Sequence, residues 1–216
     1  TDASFGPEWS ATLARGSGRE LREWPDFALA TAAAADEIAL RWFRRDVEVA
    51  TKPDRTFVTA ADREIERLVR ERLADRFPAH GIVGEEYGTD AGAGEFRWIV
   101  DPIDGTANFV RGIRLFALLM TVERDGELQA AVVSAPAMGE RWFAARGLGT
   151  RRRLAVSGVR SLADAQVVYG AATDVQRSGR APGFGALLDD VWRDRGFGDF
   201  WGYCLVAEGA AEAMIE

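Results

Sequence analysis

The densest chemistry in the chain lies between Gly84 and Phe109, in the stretches GEEYG and WIVDPIDGTANF. Glu85 and Glu86 follow a short apolar step. Asp101 ends a longer apolar run, and Asp104 lies just beyond it, across Pro102-Ile103. A strand that runs into a proline-containing turn aims side chains and backbone carbonyls at one point. Two aspartates meeting there repel each other unless cations lie between them. Hard oxygen ligands of this kind suit Mg²⁺, which takes carboxylates together with substrate phosphate and water. Gly105-Thr106 then opens a helix or turn, where free backbone N–H groups bind anions. A carboxylate cage beside an N–H cradle is what phosphoryl transfer needs. Taken singly, the same residues also read as a plain Asp-Gly turn and as surface glutamates. Thr59-Ala60-Ala61-Asp62 is likewise open to two readings. It is a helix-capping pattern with an acid favoured by the helix dipole, and it also presents a carboxylate for a site.

Several other chemistries are excluded by composition. The single His80 falls in FPAHGIVGEE, a loop position before an apolar run, which leaves no convincing base for a Ser-His-Asp or Cys-His mechanism. No GxxxxGK stretch is present to cradle a nucleotide. A formal net charge of -7 without a basic stripe argues against nucleic acid as a partner. Bound cations can still reverse the field inside one site, so a small anionic substrate remains open. The one cysteine, Cys204, cannot form an internal disulfide and reads as a structural residue on the apolar side of a helix. With 47% hydrophobic and 28% charged residues the composition is globular. No run is long enough to span a membrane, and the first residues lack the apolar core of a signal peptide, so a cytoplasmic protein with no membrane partner is expected.

The elements that must hold these carboxylates follow from periodicity. Residues 1–25 have no clear period and read as a partly ordered N-terminal extension. The remainder, 26–216, reads as one catalytic domain. A helix is expected from Asp26, with Phe27, Ala30, Ala34, Ile38 and Trp42 as its apolar stripe. A second is expected over Ala60 to Arg76, burying Ile65, Leu68, Val69 and Leu73, with charged residues on the rest and Pro78 and Gly81 closing it. Strands are expected at Gly81–Gly84, Phe96–Val100, Leu115–Arg124 and Leu128–Ser134, the last two joined by an Asp125-Gly126 hairpin turn. Further strands are expected at Arg141–Ala145 and Gln166–Ala171. Helices near Phe184–Arg195 and Trp201–Ala211 precede a strand beginning at Ala213-Met214-Ile215. Helices, then a meander, then alternating strand and helix predict a layered α+β fold rather than one doubly wound sheet. Trp98, Trp142, Phe143 and Trp201 read as core.

GEEYG, WIVDPIDGTANF and FVTAADREIE resemble three motifs of the inositol monophosphatase superfamily, and the likeness runs from about Phe27 to Glu216. It implies an αβαβα sandwich of the inositol monophosphatase and sugar phosphatase type. It further implies that Glu85, Asp101, Asp104 and the Ile103 carbonyl bind Mg²⁺, with Asp62 helping to hold a further, weaker ion, two or three in all. By the same likeness Thr106 and Glu85 orient the attacking water, Asp104 is needed for turnover, and the Gly105 and Thr106 N–H groups bind phosphate. A homodimer is implied as well.

TKPDRTFVTAADR, NFVRGI, VVSAPAMGERWFAARG and GFGDFWGYCLVAEGAAEAMIE resemble the actinobacterial type of histidinol-phosphate phosphatase, which implies hydrolysis of histidinol phosphate in histidine biosynthesis. An inositol or broad sugar phosphatase is the alternative, and an inactive metal- or phosphate-binding scaffold is the non-enzymatic one. In this sub-family Glu216 matches a position that contacts the rest of the substrate, with Asp199 a second candidate. A carboxylate there suits the ammonium of histidinol. Haloacid-dehalogenase-type phosphatases also place an Asp pair before Gly-Thr, but with one residue between the acids where this chain has Pro102-Ile103. Ala107 departs from the family, where a polar residue is common. The family's Trp-Asp pair after the Glu216 position has no counterpart before the sequence stops, which gives the expectation of a C-terminally incomplete fold.

Overall fold

A computed structural model describes residues 20–45, 49–51, 57–150 and 154–216. Residues 1–19, most of the expected N-terminal extension, lie outside that set, as do 52–56 within TKPDRTFVTAADR. The chain forms two compact units, Thr1–Arg152 and Arg153–Glu216.

The first unit carries helices α1 (Glu20–Trp42) and α2 (Ala60–Arg76), a short antiparallel pair β1 (Val49–Thr51) and β2 (Phe57–Thr59), and a large sheet. The sheet strands are β3 (Gly81–Gly84), β4 (Gly88–Asp90), β5 (Phe96–Asp104), β6 (Ala117–Arg124), β7 (Glu127–Ala135), β8 (Glu140–Ala145) and β9 (Gly149–Thr150), with the one-turn-and-a-half helix α3 (Thr106–Val110) after β5. Their order is β4-β3-β5-β6-β7-β8-β9. Only β3 and β5 pair in parallel, so the meander from β5 onward runs as its alternating pattern predicts. Asp125 and Gly126 both take positive φ, 52° and 81°, the geometry a two-residue hairpin turn requires.

Both helices pack on this sheet around one core that includes Trp98, Phe116, Met120, Val132 and Phe143. The α1 stripe is offset from the expected one. Ala28, Ala32, Ala35, Ile38 and Ala39 are buried while Ala30 is exposed. An alanine-rich segment offers several equivalent stripes, and the chosen one puts small side chains against the sheet. The helix also starts at Glu20 and keeps Pro25 inside it. Trp24, whose ring lies 4.7 Å from Phe96, anchors this early turn against the core and outweighs the backbone hydrogen bond proline removes. For α2 the expected bounds hold, and Ile65, Val69 and Leu73 are buried as expected. Its polar face is not wholly solvated, because Asp62 and Glu66 are also fully buried.

The second unit is a three-stranded parallel sheet, β11-β10-β12, formed by β10 (Gln166–Tyr169), β11 (Arg193–Arg195) and β12 (Ala213–Ile215). Helices α4 (Ala172–Arg177), α5 (Ala181–Asp190) and α6 (Asp199–Glu208) connect them. The helix expected over Phe184–Arg195 is thus corrected. It ends at Asp190, and Arg193–Arg195 pairs with β10, whose edge backbone groups it satisfies. Val167 and Val168 of β10 are fully buried, and α6 presses so closely on β12 that a Cβ on Gly202 would fall 2.4 Å from the Met214 sulfur. Among the described residues no helix is long and apolar enough to cross a membrane.

Candidate active site

Parallel pairing sets the level of the two central acids. Gly84 of β3 lies opposite Val100 of β5, so Glu85, just past the end of β3, and Asp101, still within β5, lie at the same height. The strand does not end at Asp101, as the sequence reading had it. It continues through Pro102 to Asp104, with its register against β6 broken between the two aspartates. Proline cannot donate to a sheet ladder, so it sits at such an irregularity, and the bulge re-aims the side chains around it. Asp101 Oδ1 accepts the Ile103 N–H at 3.1 Å, which fixes the turn of the backbone. Gly105, at φ 79° and ψ 37°, makes the left-handed step into α3. Thr106 Oγ1 then donates to the Ile103 carbonyl at 2.9 Å.

Asp62 reaches the same neighbourhood from α2. Thr59 caps this helix, with its Oγ1 accepting the Ala61 and Asp62 N–H groups at 3.2 and 3.4 Å. Asp62 Oδ2 accepts the Thr59 N–H at 2.8 Å and its hydroxyl at 2.5 Å, completing a capping box. Capping engages only one carboxylate oxygen. Oδ1 is buried with no hydrogen-bond partner, a costly state for an acceptor. The two readings of this residue therefore coexist, with one oxygen for the helix and one left over.

The electrostatics single out the cluster. Asp101 is pushed up to about 9, first by burial and then by the charges of Glu85 and Asp104, a hydrogen bond to Glu85, and Asp62. Asp62 is raised to about 6, mainly by burial, with its Thr59 hydrogen bonds opposing and Glu86 adding to the rise. Five carboxylates thus act on one another at the ends of β3, β5 and the first turn of α2. Among the described residues no three His, Cys, Asp or Glu side chains stand preassembled as an ion cage. What links Asp101 and Glu85 is a shared hydrogen bond. The donor set nonetheless fits a hard divalent cation. It is all oxygen, it includes the unpartnered Asp62 Oδ1, and the Ile103 carbonyl keeps a second lone pair beyond the one Thr106 uses.

Two contributors escaped the sequence reading. Glu66, one turn after Asp62 on α2, accepts the N–H groups of Glu86 at 2.6 Å and Tyr87 at 3.1 Å. Its signal was the four-residue spacing from Asp62 on one helix face. Tyr203 of α6 donates to Glu216 Oε2 at 2.7 Å, between elements no short motif connects. Glu216 is exposed and borders a cavity of about 660 Å³ in the second unit, lined also by Asp174, Arg180, Phe184 and Ile215. Asp199 opens α6 at φ 49° behind Gly198. Trp98, Trp142 and Phe143 are buried, whereas Trp201 is half-buried against Phe197, 4.7 Å away. His80 accepts from Trp98 Nε1 at 3.1 Å and stacks on Phe77 and Phe96. Burial holds its pKa below the ordinary value, and it has no part in the carboxylate cluster. Cys204 is buried.

The sequence profile of the Inositol monophosphatase family matches residues 20–216. A histidinol-phosphatase of Mycobacterium tuberculosis is 44% identical over 198 residues, covering 88% of this chain and 76% of that protein. One from Streptomyces coelicolor is 42% identical, covering 86% of this chain and 74% of the relative. Among solved structures, the extragenic suppressor protein suhB of Bartonella henselae superposes with a TM-score of 0.80 at 28% identity, covering 86% of this chain and 75% of that one. With a helix-on-sheet α+β architecture, acidic strand ends in DPIDGT and GEE, and a profile match from Glu20 onward, this chain belongs to the inositol monophosphatase family.

Proposed function

We propose that the chain hydrolyses a small phosphate monoester with Mg²⁺, and that histidinol phosphate is its substrate. The observation that carries this reading is the convergence of Asp101, set level with the end of β3, with Glu85, Asp104 and Asp62, whose buried Oδ1 has no hydrogen-bond partner, a gathering in which burial and like charge push the Asp101 carboxyl up. Such a group calls for an external cation. Glu85, Asp101, Asp104 and the Ile103 carbonyl would hold Mg²⁺, with Asp62 reaching a further ion. When bound, Mg²⁺ supplies the positive charge that draws in the phosphate oxygens and makes the attacking water more acidic.

The chain's own groups do the rest. The Thr106 hydroxyl proton is committed to the Ile103 carbonyl, so its oxygen is left to accept a proton of the attacking water. Glu85 accepts the other and takes it as the water oxygen bonds to phosphorus. The Gly105 and Thr106 N–H groups hold the phosphate oxygens as charge builds. The phosphorus–oxygen ester bond breaks and the departing oxygen gains the proton that Glu85 took, relayed through water, so that histidinol and inorganic phosphate are formed and Glu85 is again a carboxylate. Residues 26–216 act as the phosphatase domain, working in the cytoplasm as a homodimer, and Glu216, steadied by Tyr203, faces the ammonium of the substrate.

Support for the substrate comes from the 44% and 42% identity to the two histidinol-phosphatases and from GDFW and Glu216 in this chain. The alternative within the family is an inositol or sugar phosphate. Phosphate release from histidinol phosphate and inositol phosphate, each with Mg²⁺ and with chelator, tests the reading. The expected result is Mg²⁺-dependent release that favours histidinol phosphate. Preference for inositol phosphate would replace the substrate, and a trapped phosphoenzyme would replace the mechanism.

A further inference from the structure

Glu66 is a fully buried carboxylate on a helix, and a buried charge is tolerated only when its oxygens are matched. Its partners are specific. Oε2 accepts the Glu86 N–H at 2.6 Å, and Oε1 accepts the Tyr87 N–H at 3.1 Å and Arg70 Nε at 2.9 Å. These two amides belong to the turn that carries Glu85 out of β3. The carboxylate lies so close over Gly84 that a Cβ there would meet Oε1 at 1.9 Å. Glycine is thus needed at 84 for approach rather than for backbone angle. One turn further along α2, Arg70 also donates to the Gly88 carbonyl, and its guanidinium sits 5.9 Å over the Tyr87 ring.

Glu85 is therefore fixed on both sides, before it by the Gly84–Val100 register and after it by Glu66. The helix that does this also carries Asp62 in its first turn. One rigid element sets two carboxylates that come from distant parts of the sequence.

We propose that Glu66 is a positioning residue for the Mg²⁺ site, holding the Glu85–Tyr87 turn so that Glu85 meets Asp101. This rests on the metal reading above. Glu66 touches neither substrate nor ion and acts through Glu85. Replacing it with glutamine keeps the volume but turns an amide NH₂ toward one of the turn's N–H groups, so one acceptor is lost. Partners of metal ligands are worth 10- to 100-fold in metal affinity on mutation, on the order of what is expected here.

The test is calorimetric titration of Mg²⁺ into folded wild-type, Glu66→Gln and Arg70→Gln proteins, with thermal unfolding measured alongside. The expected result is that Glu66→Gln weakens Mg²⁺ binding about 10- to 100-fold. Arg70→Gln, which loosens the same carboxylate and the Gly88 carbonyl, should weaken it less. In activity assays the Mg²⁺ needed for half-maximal rate should rise far more than the rate at saturating Mg²⁺ falls. A merely structural Glu66 would lower the unfolding temperature and leave the affinity of the folded protein unchanged. If Glu66→Gln does not fold, Arg70→Gln decides alone: unchanged affinity overturns the inference. Wild-type protein that takes up no Mg²⁺ would overturn the metal reading and this inference with it. Binding by wild type and equal binding by both variants overturns this inference only.

Discussion

Asp36 and Asp101 lie in the same unit, and burial raises the pKa of both, yet their surroundings are opposite. Asp36, on α1, accepts from Ser134 Oγ at 2.9 Å and pairs with the buried Arg141, whose Nε also donates to Ser134 at 2.8 Å. Arg141 and Ser134 both pull its pKa back against desolvation. Asp101 has Glu85, Asp104 and Asp62 as its strongest neighbours, and each pushes in the same direction as burial. The Asp36 region carries its own counter-charge and ties α1 to β7 and β8. At Asp101, where β3, β5 and α2 come together, the charges acting on the carboxyl are all negative among the described residues. The fold gives Asp36 a cation of its own, although its Oδ1 stays without a hydrogen-bond partner, and the contrast with Asp101 is what the proposed cation site would explain.

Breaking the matched region should have the largest effect on stability. Arg141→Met leaves Asp36 buried without its cation, which costs about 3–5 kcal/mol. Denaturant unfolding should show this loss, while Mg²⁺ affinity of the folded fraction stays near wild type. A stability change below about 1 kcal/mol would mean the Asp36 pair contributes little.

Changing the mismatched region should do the reverse. Asp104→Asn should lower turnover on the order of 10²–10³-fold, the scale of one well-placed charged or polar group acting on the transition state. Circular dichroism should report an intact fold, because the variant removes a repelling charge. Wild-type turnover would take Asp104 out of the site.

The smallest expected effect lies in the second unit. Glu216 is exposed and held by one hydrogen bond from Tyr203. Glu216→Gln should raise KM for histidinol phosphate about tenfold, the size of one charge-assisted contact, and leave inositol phosphate unaffected. An unchanged KM for histidinol phosphate would remove Glu216 from recognition.

How far the sequence reached depended on distance along the chain. GEE and DPIDGT each place their acids within a few residues, so the cluster was visible locally, and α2 was legible because Ile65, Val69 and Leu73 repeat at helical spacing. Glu66 was read as part of a solvated face, since charge on a helix is usually exposed, and only the fold brings the Glu86 and Tyr87 amides over it. The continuation of β5 to Asp104 was hidden by Pro102, which punctuates most strands but here occupies a bulge. Pro25 concealed the start of α1 in the same way, because the contact between Trp24 and Phe96 is tertiary. The Arg193–Arg195 strand was missed because three charged residues have no apolar alternation and gain their place by pairing with β10.

The most direct test of the counter-charge account is thermal stability measured from pH 6 to pH 9, with Mg²⁺ and with chelator. Asp101 has a folded pKa raised from 3.8 to about 9, so the folded state holds a proton that the unfolded state releases. That contribution is complete below about pH 4 and is lost as pH rises toward 9. Asp62, raised to about 6, has lost most of its own contribution by the start of this window. With chelator, Tm should therefore fall as pH rises. With Mg²⁺ the ionised form of Asp101 is the one that binds, so Tm should be higher and the fall should flatten, the gap widening toward pH 9. Curves that coincide with and without Mg²⁺ across this range would contradict the assignment of the acidic cluster as a cation site.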